Sequence, residues 1–216
     1  MRQMCEGERR LCRLWNLEVM CVVWMGVFFA SHVSSVVALA ADADSATQAV
    51  KETVDRVLLV LANDDLKGPE RAEEKRSLLQ KVIGERFDYE EMGKRTLGLH
   101  WRDLNDAQQK EFVELFQNFL SNTYAGNVDG YSGEQVEYLK ERRKGEFAEV
   151  QTKVMSPKIE VPLDYRLMRK STGWMVYDVV IDGVSLVKNF RGQFDRIIRG
   201  SSFQGLLDKL REKTVK

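Results

Sequence analysis

Cysteine is nearly missing: the 216 residues hold three, Cys5, Cys12 and Cys21, and none follows position 21. From there on no disulfide framework, thiolate nucleophile or cysteine-ligated zinc can be built. Histidine is as scarce, with His32 and His100 alone. A multi-histidine metal site is out of reach, and a Ser-His-Asp triad would have to turn on His100, near which no G-x-S-x-G occurs. The glycines fall without G-x-x-x-x-G-K or G-x-G-x-x-G spacing, so no phosphate cradle is expected. No metal and no cofactor is expected. An excess of one charge is absent too, at 33 basic against 33 acidic side chains, which argues against a general nucleic-acid binder.

What is present begins with a leader. Arg2, Arg9, Arg10 and Arg13 precede the apolar run from Val19 to Ala30, and small residues follow up to Ala38-Leu39-Ala40. That order reads as a secretory signal peptide over 1–40, cleaved after Ala40, with a mature domain over 41–216. The competing reading is an uncleaved anchor over 19–40, but its dense apolar core is shorter than the about 20 residues a spanning helix needs. Removal of 1–40 takes all three cysteines, four basic and three acidic side chains, leaving 29 basic against 30 acidic. No cysteine follows the apolar run to take a lipid. The expected place is an exported aqueous compartment such as a bacterial periplasm.

Along the rest, Val50, Val54, Val57, Leu58 and Leu61 recur at helical spacing, predicting an amphipathic helix from Ala46 to Leu66. A break at Gly68-Pro69 leads to a second helix, about Glu70 to Phe87, with Leu78, Leu79, Val82 and Ile83 on its apolar face. A short helix and turn follow over 87–101. Asn105 and Gln108 have the spacing of a capping box for a phenylalanine-rich helix running to about Tyr124. From Glu134 the period becomes two, and four strands of a mainly antiparallel meander are predicted, the last from Gly173 to Ile181. After Asp182-Gly183 two more helices close the chain. Helices, strands, then helices describe an α+β domain.

The last strand does not alternate: Met175, Val176, Tyr177, Val179, Val180 and Ile181 place apolar groups on both faces. Both faces are therefore expected to be covered, either by two layers or with one face walling an apolar pocket. Asp178 lies inside this run, where a buried carboxylate needs partners. It is either a brace for a loop or, with His100 as the other candidate, an acid–base group of a pocket enzyme. Asp64-Asp65 and Glu90-Glu91 suit helix ends and need no chemistry. The basic run Lys140, Arg142, Arg143, Lys144 sits near a hairpin tip, as a solvated turn or a contact for anionic lipid headgroups. The aromatic residues can converge on one space, and periodicity does not say whether that space is filled or hollow.

The strings FDYEEMGKRTLGLHWRDLNDAQQKEFVELFQNFLSNTYAGNV, WMVYDVVIDGVSLVKNFRGQFDRII and GLLDKL resemble the MlaC (toluene-tolerance) family, and the resemblance runs from about Ala46 to Leu210. Phe190 stands where that family leads one to expect tyrosine. The resemblance implies a twisted four-stranded sheet like that of nuclear-transport-factor-like folds, packed with a helical layer around an apolar pocket. It implies a non-enzymatic periplasmic phospholipid carrier of a Gram-negative cell, serving outer-membrane lipid asymmetry. The implied partners are phospholipid, an inner-membrane ABC lipid-transport complex and an outer-membrane lipoprotein–porin complex, with transient contact at the membrane surface. The alternatives are the pocket enzyme and a binding module for another hydrophobic ligand. On that resemblance the pocket lining is assigned to Phe112, Phe116, Phe119, Leu120, Tyr124, Val154, Tyr165, Trp174, Val176, Val180, Ile181, Val184, Leu186, Phe190 and Phe194.

Overall fold

The computed structural model describes residues 45–125, 131, 133–156 and 160–214; the expected leader, its cleavage point and Ile159 lie outside the described residues. Helix α1 (Ala46–Ala62) begins where a carboxylate from the sheet meets its N-terminus: Glu141 accepts from the Thr47 N–H at 2.8 Å and from its hydroxyl at 2.7 Å. That placement satisfies an orphan amide and puts negative charge at the positive end of the helix. Helix α2 (Ala72–Gly84) follows two 3₁₀ turns, so both helices are shorter than the apolar spacing predicts. Helix α3 (Tyr89–Leu97) is capped by Asp88, which accepts from the Glu91 N–H at 3.0 Å. Helix α4 (Asp106–Ala125) carries the predicted capping box: the Asn105 and Gln108 N–H groups each donate to the other's side chain at 3.0 Å.

The sheet has five strands, β1 (Gln135–Lys144), β2 (Phe147–Met155), β3 (Glu160–Lys170), β4 (Gly173–Ile181) and β5 (Val184–Ser185), antiparallel and in chain order. The fifth strand, not expected from the sequence, is only two residues long. It exists because Asp182 and Gly183, at φ 48° and 78°, form a two-residue turn that folds the chain back on β4. Helices α5 (Leu186–Gly200) and α6 (Phe203–Thr214) complete the chain.

Two irregularities in register decide which side chains share a face. Tyr138 pairs with Thr152 but Lys140 with Gln151, so Leu139 is the extra residue of a bulge in β1. Arg166 pairs with Asp178 but Leu167 with Val176, which makes Tyr177 the extra residue in β4. The bulge reverses parity along β4. Trp174 and Val176 before it, and Val179 after it, therefore join one buried cluster with Ala148, Val150 and Leu167, and Ile181 packs against that cluster. This resolves the apolar run that fails to alternate. Asp178 and Val180 fall on the opposite face.

The edge of β4 left open beyond β5 is closed by residues 86–88. The Asp88 N–H donates to the Val176 carbonyl at 2.8 Å and the Val176 N–H to the Arg86 carbonyl at 2.9 Å, as a parallel bridge. Two apolar clusters result. One lies between α1 and the inner face of the sheet; the other lies among α3, α4, α5 and α6, and Phe87 and Leu186 touch both.

Candidate functional site

Between the two clusters the packing opens into an apolar cleft of two joined chambers, about 310 and 470 Å³. These sizes fall in the range of sites that bury a small molecule. The smaller lies between α1 and the sheet, against Val50, Val54, Leu58, Val136, Val154 and Val176. The larger lies under α2, against Leu79, Met92, Leu120, Leu163, Val179 and Ile181. Val57, Leu61, Ile83, Phe87 and Tyr165 border both and form the waist.

Of the residues assigned from the sequence, Leu120, Val154, Tyr165, Val176, Ile181 and Leu186 stand on the cleft wall. The phenylalanines do not. Phe112, Phe116, Phe190 and Phe194 fill the helical cluster, with Phe119 packed against it. Their rings tile at centroid separations of 5.4 to 5.9 Å, Phe119 edge-on to Phe190 and Phe116 edge-on to Phe190 and Phe194, which leaves no room for a guest. Trp174 is buried with Arg143 and Arg169 over its ring. Val180 faces away through the β4 parity, and Val184, at 55% exposure, lies at the sheet edge. The side chain of Tyr124 lies outside the described residues. Missed by that assignment were Val57, Leu58, Leu61, Leu79 and Ile83. Their helical spacing was visible, but it reads as an ordinary buried face.

Polar groups in the cleft are few and mostly engaged. Arg86 donates from Nε to the Thr53 hydroxyl at 3.1 Å and from Nη1 to the Trp174 carbonyl at 2.8 Å. Burial pushes the Tyr89 phenol up to about 12 and raises that of Tyr165 as well, so both stay neutral near neutral pH. Neither candidate acid–base group is on the wall. Asp178, 3% exposed, accepts at Oδ2 from Arg166 (3.0 Å) and Ser185 (2.7 Å) and at Oδ1 from the Val187 N–H (3.1 Å). It braces the start of α5 against the sheet. His100 Nε2 lies 3.0 Å from Asp195 Oδ1, and this contact, with Arg199, holds the Asp195 carboxyl below its ordinary range. Among the described residues no cluster of three or more His, Cys, Asp or Glu is placed to hold a metal ion.

A family model described as MlaC protein matches residues 51–212, which takes in every cleft residue but Val50. The intermembrane phospholipid transport system binding protein MlaC of Haemophilus influenzae is 22% identical over 179 residues, covering 76% of this chain and 84% of that protein. A solved structure of the phospholipid-binding protein from Ralstonia solanacearum, in complex with a phospholipid, superposes with a TM-score of 0.71. It is 28% identical and covers 77% of this chain and 95% of that one.

Proposed function

This chain belongs to the MlaC family, and from that premise we propose that it is a non-enzymatic phospholipid carrier that holds acyl chains in the cleft between α1, α2 and the sheet. The observation that carries the reading is the cleft itself: two joined apolar chambers walled by the segment that the family model matches. Hydrocarbon exposed to water costs about 0.8 kcal/mol per CH₂, so two acyl chains do not cross an aqueous space unaided. Moving them from bilayer to protein exchanges one apolar medium for another. The net free energy can then be small enough for the lipid to be handed on, and no covalent step is required.

In this reading the leader over 1–40 directs the mature domain, 41–216, to the periplasm. There it collects and delivers phospholipid between an outer-membrane lipoprotein–porin complex and an inner-membrane ABC complex, and so maintains outer-membrane asymmetry. The phospholipid-binding relatives support the ligand class. The engaged oxygens of Asp178 and its place off the cleft wall favour a carrier over a pocket enzyme. Mass spectrometry of lipid extracted from the purified protein tests this. Co-purifying two-chain phospholipid is expected; an empty cleft, or a small metabolite that is turned over, overturns it.

A further inference from the structure

The larger chamber contains one group that an apolar wall does not explain. Lys75, in the first turn of α2, is 9% exposed and lines the chamber, yet among the described residues its ammonium makes no hydrogen bond or ion pair. Arg76 lines the same chamber, its side chain 30% exposed and its Nη1 4.0 Å from Glu73 Oε2, too long for a hydrogen bond. Glu73 itself is 87% exposed in its side chain, and Glu74 is taken by Arg71 at 2.5 Å. The chamber thus offers two cations, that of Lys75 unpaired, against the one exposed carboxylate of Glu73, with Gln80 and Ser121 as further polar side chains on the wall. The Lys75 stem is shielded while its Nζ keeps accessible surface, so an anion entering the chamber can reach the ammonium and pair with it.

We propose that Lys75, seconded by Arg76, is the phosphodiester-binding site of the cleft. The inference rests on the carrier reading and adds to it where the lipid phosphate sits. A phosphodiester carries its negative charge a few bonds from both acyl esters, so an ammonium at the chamber wall can hold it while the chains run past Leu79 and Ile83 to the waist. Lysine suits the task, because a compact charge on a flexible stem accepts a phosphate from several directions and leaves the variable headgroup beyond it unread. Lys75 then sets the depth of insertion, and the cleft discriminates phospholipid from uncharged diacylglycerol of the same chains.

The test uses protein stripped of lipid and two short-chain probes, dihexanoyl phosphatidylglycerol and dihexanoylglycerol, titrated calorimetrically. Lys75→Met is expected to lower the affinity ratio of the first to the second by about tenfold, the usual scale for losing one charge-assisted hydrogen bond, and Lys75→Arg to restore most of it. A ratio indifferent to residue 75 overturns this assignment alone; wild-type protein that takes up neither probe overturns the carrier reading and the assignment with it. Inorganic phosphate or hexanoate bound as tightly as phosphatidylglycerol overturns the choice of a phosphodiester. The thermal midpoint of stripped Lys75→Met is expected to hold, because no partner within the protein is lost; a fall would reveal such a partner and count against the proposal.

Discussion

Phe116 and Ile83 are both apolar and both shielded, yet they do different work. Phe116 is fully buried and meets Phe112, Phe190 and Phe194 ring to ring. Ile83 is half-buried at the waist of the cleft. Phe116→Ala is expected to lose about 3–5 kcal/mol of stability through the cavity it leaves, while the lipid bound per folded molecule stays as it was. Ile83→Asp is expected to do the opposite. Its carboxylate remains solvated when the cleft is empty, so the fold persists, but it must be desolvated when acyl chains enter, and co-purifying lipid falls by about tenfold or more. Denaturant titration beside quantitative lipid extraction separates the two. If Phe116→Ala empties the cleft, or Ile83→Asp leaves it full, the line drawn between core and cleft is misplaced.

At the scale of elements, the turn after β4 carries more than its length suggests. Gly183 at φ 78° returns the chain so that Ser185 can reach Asp178 and α5 can start. No atom crowds a Cβ there, so Gly183→Ala adds only the left-handed backbone strain, an expected loss of about 1 kcal/mol. An unchanged denaturation midpoint would mean that the turn is not held in this form. The helices and the first three long strands were legible because each repeats its own period, the fourth because its apolar run lies between two glycine turns, and the capping box of Asn105 and Gln108 because its residues fix its geometry. The bulge at Tyr177 was not legible, since the failed alternation around it reads equally as a strand covered on both faces, yet it turns Val179 and Ile181 toward the cleft. The cleft walls were half legible for a related reason. Spacing on α4 shows that the phenylalanines are buried, but a helix pattern does not say whether the facing surface is another helix or a hollow. Family resemblance drew the lining toward the aromatic helices, when α1 and α2 supply much of it.

Across the whole molecule, the two clusters differ in how they are closed, and this predicts where lipid is felt. The cluster of α3 to α6 is filled by its own rings and leucines. Helix α1, by contrast, has its buried residues, Ala46, Val50 and Thr53, in its first half, and beyond them Val57, Leu58 and Leu61 face the cleft. Helix α2 meets the cleft with Leu79 and Ile83. With the cleft empty, the second half of α1 and the facing turns of α2 lack apolar contact on their cleft side, so their amides are expected to exchange faster than those of α4 and α5. In the proposed carrier, lipid supplies that contact, which raises the free energy of opening and the thermal midpoint together. Hydrogen exchange with and without bound phospholipid is expected to slow in residues 54–62 and 76–84 and to stay constant in α4 and α5. Uniform slowing along the chain, or protection concentrated on the phenylalanine helices, would place the lipid elsewhere.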